Sequence, residues 1–125
     1  MMTIVNTKGA PGTYGPYSQA TVAGNFVFVS GQLPLNPLTG ELVTSGIKAE
    51  TSMVMENIRA ILLEAGIGFE NVVKTSLFLS DLQNFAQVNE VYGTYFTANF
   101  PARETVQVAA LPKGANIEMS VIAIK

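Results

Sequence analysis

Asn116-Ile117-Glu118-Met119-Ser120-Val121-Ile122-Ala123-Ile124 is the stretch that decides the fold. In an extended chain successive side chains point to opposite faces, so Met119, Val121 and Ala123 line one face while Ile122 and Ile124 line the other. Phe26 and Phe28 alternate with Val27 and Val29 in the same way. Strands that are apolar on both faces belong to a sheet covered on both sides.

Working outward from these strands, Thr21 to Ala23 and Phe26 to Ser30 flank Gly24-Asn25, a pair suited to a tight hairpin turn. Asn36-Pro37-Leu38-Thr39-Gly40 is a second turn, and a short strand is expected over Glu41 to Val43. From about Ile47 to Ala65, the apolar residues Val54, Ile58, Ile61, Leu62 and Ala65 recur at helical spacing, and Gly66 supplies the stop. Asn71 to Ser80 reads as a strand. A second helix is expected over about Asn84 to Ala98, with Phe85, Val88, Tyr92 and Phe96 on one face. Its start, Asn84-x-x-Gln87, resembles a capping box, and Gly93 inside it reads as a close-packing device. Strands over Thr105 to Ala109 and Asn116 to Ile124 follow, separated by the Leu111-Pro112-Lys113-Gly114 turn.

The order β-β-(β)-α-β-α-β-β predicts an α+β sandwich, two helices packed on one face of a mixed, mostly antiparallel sheet. A length of 125 residues suits one domain spanning 1-125. Two helices cover only one face, so the other must meet something apolar, and in a short chain that is another copy of itself. Composition points the same way. Hydrophobic residues make up 48% and charged residues only 13%, too few to cover a monomer's surface generously.

Seven Lys and Arg against nine Asp and Glu give a net charge of -2, and no run of basic residues supports binding to nucleic acid or to an anionic membrane. The longest apolar stretches fall far short of the ~20 residues of a membrane helix. The N-terminal Met-Met-Thr-Ile-Val-Asn does not read as a secretory signal, so a cytoplasmic location is expected. With no cysteine and no histidine, the sequence excludes disulfides, thiol nucleophiles, Ser-His-Asp triads, Cys/His zinc sites and histidine bases. No metal or cofactor is expected. Any chemistry falls to Arg, Lys, Glu, Asp, Tyr, Ser, Thr and the backbone, which suits a substrate that is already reactive.

Arg103 follows Pro101-Ala102 at the expected junction of helix and strand. Its planar fork can bind a carboxylate by two parallel charge-assisted hydrogen bonds; alternatively it is a surface arginine paired with Glu104 or a helix carbonyl. Glu118 shares a strand face with Ser120, Ile122 and Ile124, so its carboxylate enters a face that becomes apolar, where its pKa tends upward. It is either a proton acceptor and donor acting on a water or a rim residue bonded to a neighbour. Tyr17, Ser18, Gln19, Ser30, Gly31 and Gln32 offer polar tips and free backbone near strand ends. The Gly9 to Gly15 loop lacks the helix context and Lys-Ser/Thr ending of a phosphate cradle.

Gly15-Pro16-Tyr17-Ser18-Gln19-Ala20, Ser30-Gly31-Gln32-Leu33-Pro34 with Asn36-Pro37 and Thr39-Gly40, Asn71-Val72-Val73-Lys74-Thr75, and the block from Phe100 to Glu118 together resemble the Rid (YjgF-type) family of enamine/imine deaminases. They run in family order over nearly the whole chain. The resemblance implies a chorismate-mutase-like fold assembled as a homotrimer with clefts between subunits. It implies metabolite damage control: hydrolysis of 2-aminoacrylate and related imino acids to 2-keto acids and ammonia, as a 2-iminobutanoate/2-iminopropanoate deaminase without cofactor. By resemblance Arg103 holds the substrate carboxylate and Glu118 activates the attacking water. Tyr17, Ser30, Gly31 and the backbone of Thr105 line the cleft, with Asn89 nearby. Thr105 stands where some members have cysteine, Glu104 where a small residue is common, and Ser120 where a second glutamate is frequent. Glu104 is expected to add negative charge beside Arg103. The alternative function is a non-catalytic binding protein for small keto or amino acids, acting on a partner.

Overall fold

Six strands and two α-helices make up the computed structural model, which describes residues 1–125. In chain order they are β1 (Met2–Val5), β2 (Ala20–Ala23), β3 (Phe26–Gln32), α1 (Ile47–Glu64), β4 (Val72–Leu79), α2 (Phe85–Gly93), β5 (Ala102–Gln107) and β6 (Ile117–Ile124). The strands form one sheet in the order β1-β2-β3-β6-β4-β5. Every pairing is antiparallel except β4 with β5, which the α2 crossover joins in parallel. The expected α+β class, with both helices on one face of a mixed sheet, is the observed one.

Period-two alternation sorts the side chains as β6 predicted. Val27, Val29, Leu77, Leu79, Ile117, Met119, Val121 and Ala123 turn to the helix side and are buried with Val54, Met55, Ile58, Ile61 and Leu62 of α1. Each large side chain fully buried there stabilises the fold by roughly 1.5–3 kcal/mol. Hydrogen bonds tie α1 to the loops around the core. Asn57 donates to the carbonyls of Leu33 (3.2 Å) and Leu35 (2.9 Å), and Asn116, just ahead of β6, donates to both carboxylate oxygens of the buried Glu50 at 3.2 Å. The opposite face has no cover. Phe26 and Phe28 stack on each other yet remain 46% and 42% exposed, and Ile4 and Ile124 lie open on the same face.

Several expectations differ. Glu41 to Val43 is not a strand: the turn leaves a single bridge, Leu35 to Leu42, and the sixth strand is instead the N-terminal β1. The second helix ends at Gly93 rather than near Ala98, because the Thr94 hydroxyl bonds back to the Val91 carbonyl at 2.6 Å and Asn99 takes a left-handed φ of 55°. Phe96 keeps its place in the core from outside the helix, 5.5 Å from the Phe69 ring and 5.0 Å from Tyr92. Gly93 is not a packing device, since nothing approaches the position of a Cβ there. Asn84 does not cap α2. The cap lies one short turn earlier, where the Asp81 carboxylate accepts from the Gln83 amide at 2.9 Å.

Candidate active site

Beyond Val29 the pairing of β3 with β6 slips: Val29 faces Val121, but Gln32 faces Met119, so β3 carries one extra residue. Such a bulge bends the strand and re-aims its side chains. Here it opens a cavity of about 490 Å³ lined by Tyr14, Tyr17, Ser30, Gly31, Lys113 and Glu118, among others. One wall is the glycine loop, organised by buried Gln19. Its amide donates to the carbonyls of Thr7 (3.0 Å) and Pro11 (2.9 Å), and its oxygen accepts from the Thr7 amide at 2.7 Å. The Ser30 hydroxyl donates to the Ser18 carbonyl at 2.6 Å, which fastens the bulge to the same loop. The Lys113 ammonium lies 4.8 Å from the centre of the Tyr14 ring, on a left-handed backbone (φ 61°).

Glu118 is half-buried in this cavity and has neither a salt-bridge nor a hydrogen-bond partner within the chain. Burial pushes its carboxyl above the ordinary range. A carboxylate so placed can take a proton from water and return it.

Arg103 lies within β5, not at a helix–strand junction, because β5 begins three residues earlier than expected, at Ala102. It pairs with Thr75 and so points to the helix side of the sheet. Its guanidinium rests over the rings of Tyr92 (4.8 Å) and Phe85 (5.5 Å) of α2. Tyr92 is itself pinned by a buried hydrogen bond of 2.9 Å between its hydroxyl and Thr75. Arg103 forms no ion pair. The alternative pairing with Glu104 is absent: as the next residue along a strand, Glu104 projects to the opposite face. There it is bound by Lys74 at 2.9 Å and by the Ser76 hydroxyl, which together hold its carboxyl below the usual range, the Ser76 bond contributing most. The expected negative charge beside Arg103 is thus turned away and neutralised.

Arg103 shares a second pocket, of about 310 Å³, with Asn89, Tyr92, Gly93, Phe100 and Pro101. Asn89 Oδ1 and Thr105 Oγ1 are both buried without a hydrogen-bond partner, the state of groups awaiting one. Thr105 follows Arg103 by two residues and faces the same side. The structure therefore brings Tyr17, Ser30, Gly31 and Glu118 together, and separately Arg103 with Asn89. Glu118 pairs with Phe78 on the uncovered face, so within one chain the two groups lie on opposite sides of the sheet. Sequence reasoning named Gln19 only as one of several polar tips near strand ends and Lys113 only as part of a turn, and the left-handed backbone that marks Lys113 has no signature in residue type.

A family model described as Endoribonuclease L-PSP matches residues 7–125. The chain is 46% identical over 122 residues to the human 2-iminobutanoate/2-iminopropanoate deaminase, spanning 98% of this chain and 89% of that protein. A crystal structure of a Rid-family protein from Yersinia pestis superimposes with a TM-score of 0.98 at 46% identity, covering both chains completely. That of Escherichia coli TdcF with bound serine gives 0.95 at 40% identity over 98% of each chain.

Proposed function

The chain belongs to the Rid (YjgF/RutC) family, and from that premise we propose that it hydrolyses reactive enamine and imine intermediates, 2-aminoacrylate and related 2-imino acids, to 2-keto acids and ammonia. The observation that carries this reading is the unpartnered, half-buried Glu118 carboxylate facing the cavity. The human relative's name supports the reaction class.

An imine carbon is already electrophilic, so catalysis needs chiefly positioning and a handled proton. The planar fork of Arg103, 4.8 Å from the Tyr92 ring and 5.5 Å from that of Phe85, takes the substrate carboxylate. Asn89 Oδ1, which lacks a partner, accepts the N–H of the imine. Glu118 removes a proton from water as the oxygen adds to the imine carbon, the C=N electron pair moves to nitrogen, and Glu118 passes that proton to the nitrogen, giving a neutral carbinolamine. Glu118 then takes the carbinolamine hydroxyl proton and delivers it to the amine as the C–N bond breaks, so that the carbonyl forms, ammonia leaves and the carboxylate is restored. Tyr17, Ser30, Gly31 and Thr105 line the space around these groups.

Arg103 and Glu118 lie on opposite faces of one sheet, so a complete site requires Arg103 of one copy beside Glu118 of another. The uncovered Phe26, Phe28, Ile122 and Ile124 supply an apolar surface for that assembly. We infer a homotrimer with three shared clefts. Sedimentation equilibrium should give about three times the 13.3 kDa chain mass, and a stable monomer at micromolar concentration would contradict the shared cleft. The decisive assay is ammonia release from freshly generated 2-aminoacrylate with purified protein against buffer. Keto-acid binding without any acceleration would favour the non-catalytic binding role.

A further inference from the structure

Five glycines, Gly24, Gly40, Gly46, Gly66 and Gly114, adopt positive φ and are required by backbone conformation. Gly31 is not among them, so what it supplies is space. A Cβ built on Gly31 would lie 2.9 Å from Cδ and 3.2 Å from Cγ of Glu118, and closer still to Oε2. The Glu118 side chain therefore lies directly across the Gly31 backbone. Within the chain its carboxylate has no hydrogen-bond or ion-pair partner. The extra residue in β3 carries Gly31 to this place, and the bond from Ser30 to the Ser18 carbonyl at 2.6 Å keeps the bulge from relaxing.

We propose that Gly31 is a positioning residue whose bare Cα forms the seat for Glu118 and fixes where its carboxylate stands in the cavity. The proposal rests on the reading of Glu118 as the proton acceptor. A methyl group at residue 31 displaces a flexible side chain rather than backbone. The protein then folds while the carboxylate leaves its seat and turns toward water. The titratable groups facing Glu118 in the cavity are Tyr14, Tyr17 and Lys113, joined by Arg103 of a neighbouring copy in the proposed assembly; on the flanking β4, Phe78 opposite it is uncharged.

The test is Gly31→Ala, with and without Glu118→Gln, assayed for imine hydrolysis alongside a ¹³C NMR titration of the Glu118 carboxyl carbon. The single Gly31→Ala change should lower kcat by about tenfold or more, within the range of a lost general base, with KM little changed. Added to Glu118→Gln it should cost nothing further, because both remove the same contribution. The Glu118 titration and the acid limb of kcat/KM should both move down toward the ordinary carboxylate range. Losses that multiply in the double variant, or a Glu118 titration unchanged by Gly31→Ala, would overturn the proposal. The titration needs no turnover, so it decides the seat even if the wild-type protein hydrolyses no imine, an outcome that would remove only the deaminase reading. Ser30→Ala adds no atom and only loosens the bulge. If Gly31→Ala cannot be purified, a smaller shift of the Glu118 titration in the same direction supports the seat, and no shift overturns it.

Discussion

Glu118→Gln should reduce imine hydrolysis at least tenfold above the uncatalysed background, and as far as the ~10² to 10⁴ a positioned general base typically contributes. The substitution keeps the shape and a hydrogen-bonding carbonyl while removing the titratable charge. Oligomer mass and keto-acid binding should be preserved. The acid limb of the pH profile, which in the wild type lies above the ordinary carboxylate range because burial raises the group, should vanish. Stability changes in the opposite sense. Below the ordinary carboxylate range Glu118 is protonated in both folded and unfolded chains, and wild type and variant should melt alike. As pH rises through the raised folded-state value, the wild type must hold an ionised carboxylate in a half-buried position, and the variant should melt higher. Equal turnover in both proteins with binding intact would demote Glu118 to a rim residue.

Arg103→Lys retains the charge and loses the fork. One of two parallel charge-assisted hydrogen bonds disappears, at about 1.5–3 kcal/mol, so kcat/KM should fall roughly ten- to hundredfold. An ammonium also lacks the delocalised plane with which the guanidinium meets the Tyr92 and Phe85 rings. Unlike Glu118→Gln, this variant should bind keto acids more weakly, which isothermal calorimetry on the same preparations would reveal. Normal kinetics in Arg103→Lys would reduce the arginine to a tie between β5 and α2.

The two-faced apolar pattern of β3 and β6 made the sheet, its covered face and its bare face legible in sequence, because burial on both sides leaves a compositional trace. Neither β1 nor the end of α2 left one. Met2–Val5 is four residues of ordinary β-former whose pairing with β2 depends on a partner distant in sequence. The aromatic period at Tyr92 and Phe96 continues past the helix because the core needs the rings there whatever the backbone does. At the site, residue types pointed to Arg103 and Glu118 as acid-binding and proton-handling groups, and alternation along β6 placed Glu118 on the face of Ile122 and Ile124, but nothing gave the face of Arg103. That face follows from where β5 begins and from its parallel register with β4, neither of which composition or periodicity records. The same parity turns Glu104 away from Arg103. The role of Gly31 was equally hidden, since its need for space exists only once Glu118 lies across it.

The placement of Arg103 and Glu118 on opposite faces of one sheet has a consequence for mixed populations. If each cleft draws its arginine from one chain and its glutamate from the next, two separately disabled proteins complement each other. Co-refolding Arg103→Ala chains with Glu118→Gln chains in equal amounts should create clefts in which both contributors are intact, about one in four by random assortment around a ring of three. Activity should emerge from two inactive preparations, and a chain with a ruined site should still lend its undamaged half to a neighbour.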